Sequence, residues 1–271
     1  MSEADRLFTD GEAYERLMGR WSRLVGVKFL DWLDVPQGLR WLDVGCGNGA
    51  FTEELVARCG PSRVMAIDPS DDQLAYARTR PGTTMAEFRV GDAQMLPLDD
   101  HSFDVAVMAL VISFVSEPAK AVMEMARVVR RSGWVATYMW DFLDGGAPVD
   151  HIYAALKSLG FASPMPPNLE VSRRDVMQKL WEKAGLEAVQ THVIRIPVVY
   201  SDFDDYWDAN TVPIGPQGKI ISSMSSSGRE QLRTRLRECL PSASDGRIAY
   251  ESFANAVKGR VAEGGPLIAK G

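Results

Sequence analysis

A chain of 271 residues, with 46% hydrophobic and 24% charged side chains, has enough material for one large α/β domain with an added cap. Thirty-six acidic against 30 basic side chains leave a formal charge of −6, which disfavours nucleic-acid substrates, whose binding rests on basic stripes that neutralise phosphates. No apolar run approaches the roughly 20 residues of a membrane span, the polar stretch Met1 to Asp10 is no secretion signal, and the three cysteines, Cys46, Cys59 and Cys239, lack metal-ligand or disulfide-scaffold spacing.

The expectation is a cytoplasmic protein without a metal. Residues 11–34 carry Tyr14, Leu17, Met18, Trp21, Leu24, Val25, Phe29, Leu30 and Leu33 at roughly helical spacing, which predicts one or two amphipathic helices. Residues 40–44 form a short apolar strand that ends in Gly45-Cys46-Gly47-Asn48-Gly49. A helix follows, with Phe51, Leu55 and Cys59 on one face, and Gly60-Pro61 stops it. Residues 63–67 are a second strand ending at Asp68. Ser70 and Gln73 make a capping box, with Asp71 and Asp72 favourably placed in the first turn.

Residues 88–90 predict a third strand leading into Gly91-Asp92. Residues 103–110 predict a fourth, apolar enough to be buried on both faces. Ser116-Glu117-Pro118 opens the next helix, with Val122, Met125 and Val129 facing inward, and residues 134–140 are a fifth strand. Alternating strands and helices imply right-handed crossovers and a Rossmann-like doubly wound sheet. Such sheets bind ligands at the carboxyl ends of their strands, where every motif below falls.

Asp43-Val-Gly45-Cys-Gly47-Asn-Gly49 is the central signal. A glycine-rich turn between strand and helix lets backbone N–H groups and the helix N-terminus approach a ligand, and these glycines by themselves fit NAD as well as S-adenosylmethionine. Asp43 shifts the balance: a carboxylate there repels a pyrophosphate and suits a cationic ligand with an amino group and a sulfonium. Asp68 can take both hydroxyls of a ribose. Asp92 can accept from an adenine amino group while the N–H of Ala93 meets a ring nitrogen.

Residues 40–140 resemble a class I S-adenosylmethionine-dependent methyltransferase domain of methyltransferase type 11, related to ubiquinone/menaquinone-biosynthesis methyltransferases. The matching stretches are Leu-Asp-Val-Gly-Cys-Gly-Asn-Gly (42–49), Ala-Ile-Asp-Pro-Ser (66–70), Gly-Asp-Ala-Gln-Met-Leu-Pro (91–97), Ser-Phe-Asp-Val-Ala (102–106) and Ala-Arg-Val-Val-Arg-Arg-Ser-Gly (126–133). The resemblance implies a sheet of about seven strands, mostly parallel with an antiparallel last strand, plus a helical cap. It implies that Asp43, Gly45, Cys46 and Gly47 cradle the methionine moiety, that Asp68 and Pro69 meet the ribose, and that Asp92, Ala93 and Gln94 frame the adenine. Ala109 and Leu110 would line the methionine side, and Tyr14, Arg20 and Trp21 would come from an N-terminal lid.

The implied organisation has a helical lid at 1–36. The core is 37–140, 181–199 and 247–262, the last two pieces carrying final strands at 186–196 and 248–261. Cap insertions follow at 141–180 and 200–246, and a flexible tail at 263–271. Within the second insertion, the Gly, Pro and Ser of 215–228 mark the segment expected to be open to protease. The candidate acceptor-side residues are Phe114, Tyr200, Phe203 and Trp207.

Methyl transfer from a sulfonium needs alignment first, and a base only where the acceptor must lose a proton. His151, beside Asp150, and Asp141 are the candidates; His101 sits in a polar turn and His192 in a predicted strand. The expected activity is O-, N- or C-methylation of a small molecule, releasing S-adenosylhomocysteine, by a monomer or homodimer. A non-catalytic S-adenosylmethionine binder and an NAD-dependent oxidoreductase stay open as alternatives.

Overall fold

The computed structural model describes residues 18–162, 165–213 and 215–264. Tyr14 lies outside them, as does the expected tail from residue 265 onward. The strands are β1 (Arg40–Val44), β2 (Arg63–Asp68), β3 (Ala86–Val90), β4 (Phe103–Ala109), β5 (Val129–Trp140), β6 (Leu186–Tyr200) and β7 (Ile248–Val261). They form one sheet in the order β3-β2-β1-β4-β5-β7-β6. Neighbours from β3 to β5 pair in parallel. β7 alone runs the other way, antiparallel to both β5 and β6, as expected.

The helices are α1 (Arg20–Leu33), α2 (Ala50–Cys59), α3 (Asp71–Ala77), α4 (Pro118–Val128), α5 (Asp150–Ser158), α6 (Arg174–Lys183), α7 (Phe203–Thr211), α8 (Gly215–Ser223) and α9 (Ser226–Cys239). The two-residue period of the strands sorts side chains between the two faces. Val105, Val107 and Tyr138 join Trp21, Val25, Phe29 and Leu55 on one side. Ala106, Met108 and Met139 join Val122, Met125, Met177 and Trp181 on the other. β4 is buried from Phe103 to Met108 for that reason.

Two boundaries differ from the sequence reading. β5 begins at Val129, straight after α4, so Val129 belongs to the sheet and not to the helix. It pairs with Phe103, and the register then shifts so that Val105 meets Trp134; Ser132 takes φ 58° in that irregular stretch. β6 runs on through Pro197 to Tyr200, which a strand at the sheet's edge tolerates because the missing N–H can face outward. Within 215–228 lie α8 and the start of α9, and Ser225 caps α9 by accepting from Gly228 N at 3.1 Å.

β6 ends and β7 begins at the edge where β1, β2 and β4 have their carboxyl ends. The 203–239 helices therefore leave and rejoin the sheet on the ligand-facing edge.

Candidate active site

Gly45, Gly47 and Gly49 follow β1 with φ of 74°, 51° and 78°, values that cost an L-residue roughly 1–2 kcal/mol each. Gly45 N and Cys46 N both donate to Ile67 O, at 2.7 and 3.0 Å, so the turn is pinned to the end of β2. A Cβ on Gly45 would stand 2.7 Å from a Val111 methyl, which brings the end of β4 against the same turn. Among the described residues, a Cβ on Gly47 would meet nothing within 4 Å. Gly45 is thus required by close packing, whereas Gly47 borders open space among the described residues.

Asp43 is fully buried. Thr52 Oγ1, from the first turns of α2, donates to its Oδ2 at 2.7 Å, while its Oδ1 has no hydrogen-bond partner among the described residues. Burial pushes this carboxyl up to about 7; the Thr52 hydrogen bond works against that and the nearby Asp68 adds to it. A buried carboxylate with a bare oxygen is costly unless a donor or cation completes it. Burial likewise raises the Cys46 thiol, helped by Asp43 and Asp68, so Cys46 is an inert wall of the turn.

Asp68 closes β2 and ties two loops together. Its Oδ2 accepts from Gly47 N at 2.8 Å and its Oδ1 from Ser70 N at 2.9 Å. Both carboxylate oxygens thus sit where the turn after β1 meets the turn after β2. Pro69 beside it is exposed.

The loop after β3 is held from behind. Asp92 Oδ1 accepts from Gln94 N at 2.8 Å, and Gln94 Oε1 accepts from Ser116 Oγ and Glu117 N, each at 3.0 Å. Gln94 thus joins this loop to the start of α4. Arg127 donates to the carbonyls of Leu96 and Leu98 at 3.0 and 2.9 Å, and its partner Glu124 accepts from Leu96 N at 2.9 Å. Met95, at 75% exposed, projects from the loop.

Leu110, directly after β4, takes φ 60° and donates to Tyr138 O at 2.9 Å. Left-handed backbone at a branched apolar residue is uncommon, and it concentrates at ligand sites. It is held here between Ala109 and the Val111 that packs on Gly45. Asp43, Gly45, Cys46, Gly47, Asp68, Ala109 and Leu110 therefore converge on the carboxyl ends of β1, β2 and β4.

Arg20 and Trp21 make their described contacts elsewhere. Arg20 Nη2 donates to Val199 O at 3.1 Å, and its guanidinium lies 3.8 Å over the Trp21 ring and 5.2 Å from that of Tyr200. They join α1 to the end of β6. The acceptor-side candidates split: Tyr200, Phe203 and Trp207 pack with the α1 face of the sheet, and Phe114 with the α4 face.

His151 lies on α5 with its ring 4.6 Å from that of Tyr250, edge to face, and burial lowers its pKa. Asp141 is buried and accepts from Leu143 N and Asp144 N, each at 3.1 Å, and from Asn255 Nδ2 at 2.7 Å. Its oxygens already organise a turn. His101 is exposed and set against Val129 O, while His192 stacks on Trp32.

Sequence reasoning missed Thr52, Val111 and three further residues. Trp140 Nε1, Ser252 Oγ and Ser113 Oγ are buried without a hydrogen-bond partner, as is the Tyr206 hydroxyl. Trp140 ends β5, Ser113 follows β4, Ser252 is in β7 and Tyr206 is on α7. Nothing in one sequence marks them, since each is an ordinary core residue type until its neighbours are known. Among the described residues, no group of His, Cys, Asp and Glu could hold a metal, and no helix is long and apolar enough to cross a membrane.

The fold and these loops define a class: a class I S-adenosylmethionine-dependent methyltransferase domain. Residues 42–137 match the family described as "Methyltransferase domain". An uncharacterized methyltransferase of Mycobacterium tuberculosis is 38% identical over 104 residues, covering 38% of this chain and 41% of its own length. A malonyl-[acyl-carrier protein] O-methyltransferase of Methylococcus capsulatus is 34% identical over 125 residues, covering 46% of this chain and 44% of its own. The chain thus matches less than half the length of either relative. In the same fold, the YcgJ protein of Bacillus subtilis superposes with a TM-score of 0.59 at 21% identity, over 88% of this chain and 98% of that one.

Proposed function

We propose that the protein is an enzyme transferring a methyl group from S-adenosylmethionine to a small-molecule acceptor by in-line displacement, with release of S-adenosylhomocysteine. The observation that carries this is Asp43, wholly buried with one oxygen unpartnered among the described residues, behind a glycine turn with open space at Gly47. A desolvated carboxylate of that kind suits a cationic ligand and opposes a pyrophosphate, which counts against NAD-dependent chemistry. The residues present fit S-adenosylmethionine, which when bound supplies an electrophilic methyl on a sulfonium whose departure needs no protonation.

The chain's own residues then bind and orient. Asp43, Gly45, Cys46 and Gly47 would hold the methionine end, Asp68 and Pro69 the ribose, and Asp92, Ala93 and Gln94 the adenine. Ala109 and Leu110 would wall the methionine side, with Tyr14, Arg20 and Trp21 as the lid. Fixing two reactants in line is worth roughly 7–11 kcal/mol.

The acceptor side is assigned to the cap, residues 141–180 and 200–246, over a core of 37–140, 181–199 and 247–262. Two features support this: the cap joins the sheet at its carboxyl edge, and buried donors stand at the end of β5 (Trp140), in β7 (Ser252) and on α7 (Tyr206). Phe114, Tyr200, Phe203 and Trp207 would supply apolar walls. Where the acceptor must lose a proton, His151 is favoured over Asp141, because its lowered pKa keeps the imidazole neutral while the carboxylate of Asp141 is already engaged. The working setting we assign is cytoplasmic, as a monomer or homodimer without nucleic acid.

Calorimetry with S-adenosylhomocysteine against NADH tests the cofactor. Incubating the enzyme and methyl-deuterated S-adenosylmethionine with a metabolite extract, followed by mass spectrometry, tests transfer. Binding of S-adenosylhomocysteine with no labelled product would leave a non-catalytic binder.

A further inference from the structure

Three glycines in five residues make the turn after β1 conformationally loose by composition, so something outside it must fix its shape. Asp68 holds Gly47 N, and Ile67 O holds Gly45 and Cys46. Asn48 O lies between these anchored groups: Glu53 N donates to Gly49 O, and Gly49 N to Cys46 O. Arg80, in the turn after α3, meets it. Its Nε donates to Asn48 O at 2.6 Å and its Nη1 to Glu53 Oε2 at 3.1 Å, with only 10% of the side chain exposed.

Glu53 is itself anchored. Its Oε1 accepts from Gly82 N at 3.2 Å, and Arg23 of α1 approaches its Oε2 at 3.9 Å and reaches Glu54 at 3.1 Å. Gly49 closes the arrangement, since a Cβ there would stand 2.9 Å from Ala77 Cβ. One planar guanidinium therefore bridges the turn after β1, the first turn of α2 and the turn after α3, and its acidic partner also receives the N-terminal helix.

We propose that Arg80 is a positioning residue for the cofactor, whose guanidinium, anchored on Glu53, holds the Gly47–Gly49 backbone in the shape that receives the ligand. The proposal rests on the cofactor reading above. Arg80 acts through the turn and is not itself assigned a contact to the ligand. Glu53 and Arg23 extend the same link to α1, so the N-terminal helix and the glycine turn share one anchor.

The test is calorimetric titration of S-adenosylhomocysteine into wild type, R80Q, R80K, E53Q and R80Q/E53Q, each shown to be folded by circular dichroism at the working temperature. Loss of two charge-assisted contacts predicts a Kd weakened by about tenfold or more in R80Q. E53Q should lose affinity in the same direction, and the double variant should be no weaker than R80Q. R80K should recover little, because an ammonium is a point donor and cannot serve a carbonyl and a carboxylate as a fork. A merely structural role would lower the melting temperature and leave Kd unchanged.

Folded R80Q with wild-type affinity, or losses that multiply in the double variant, would overturn the proposal. Should R80Q fail to fold, E53Q and R80K carry the same decision. Wild type that does not bind S-adenosylhomocysteine would sink the cofactor reading and this proposal together, whereas wild-type binding unaffected by R80Q sinks this proposal alone.

Discussion

The glycine-turn half of the molecule and the cap are built on opposite principles. Around the turn, carboxylates and guanidiniums are spent on backbone: Asp68 on Gly47 and Ser70, and Arg127 on Leu96 and Leu98. Those contacts fix loops whose composition would leave them mobile. The cap is held by ring faces. Phe203 stacks on Trp207 at 6.3 Å, Arg237 lies 4.4 Å and Arg233 5.8 Å from the Phe203 ring, and Tyr200 meets Tyr206 at 5.0 Å. Backbone hydrogen bonds set positions to within tenths of an ångström, and ring packing sets volume. The first fixes the shape of loops, the second how closely α7 and α9 approach each other.

Four substitutions sharpen or break that contrast, taken from the largest expected effect. Gly47→Val should abolish S-adenosylhomocysteine binding while the protein still folds, because the side chain would fill the open space beside the turn and a β-branched residue resists φ 51°. Normal calorimetric binding by the folded variant would make the turn purely structural. Asp68→Ala should weaken that binding strongly and also lower stability by roughly 1–3 kcal/mol, since two N–H groups lose a charged acceptor; urea melts and calorimetry together measure both. A variant that only loses stability would remove the ribose assignment.

Asp43→Asn carries a pH signature. The folded carboxyl sits at about 7, above its ordinary 3.8, so between those values the folded state binds more protons than the unfolded chain. Stability is therefore full below pH 4 on this account and is lost as pH rises through 7, by up to roughly 4 kcal/mol. Without the ligand, the variant should flatten that decline in melts taken at pH 5 and pH 8, and it should bind S-adenosylmethionine about tenfold more weakly for want of the charge. An unchanged pH slope would show that Asp43 is not the group titrating.

Trp207→Ala should leave S-adenosylhomocysteine affinity intact. Truncating a side chain that is 8% exposed costs about 3–5 kcal/mol, so the melting temperature should fall while the cofactor isotherm stays unchanged and methyl transfer to the true acceptor is lost. Lost cofactor affinity with retained acceptor binding would assign the cap to the wrong ligand.

Most of the fold could be read along the chain. The strands β1, β2 and β4 and the helix caps follow from local pattern, because apolar period, glycine turns and capping residues act within a few positions of each other, while β7 is expected from the family resemblance. Where the reading slipped, a tertiary partner decided. Val129 joins the sheet because Phe103 pairs with it, and Pro197 stays in β6 because that strand is an edge. Residues 215–223 and 226–239 are helical, as a helical cap implies, with Ile221 of α8 and Leu232 of α9 buried in the core.

The candidate site divides in the same way. Sequence by itself determined the acids and glycines at the strand ends, since a strand, a tight turn and a helix must follow one another for that chemistry to exist. It also determined the order of strands and helices that brings those ends to one edge. Only the tertiary structure decided that Thr52 takes one oxygen of Asp43 and leaves the other bare, that Val111 forbids a side chain at Gly45, and that Arg80 reaches Asn48 across 32 positions. Such pairings depend on which distant segments pack together, and burial then turns an ordinary carboxylate or arginine into a charged group whose every contact counts.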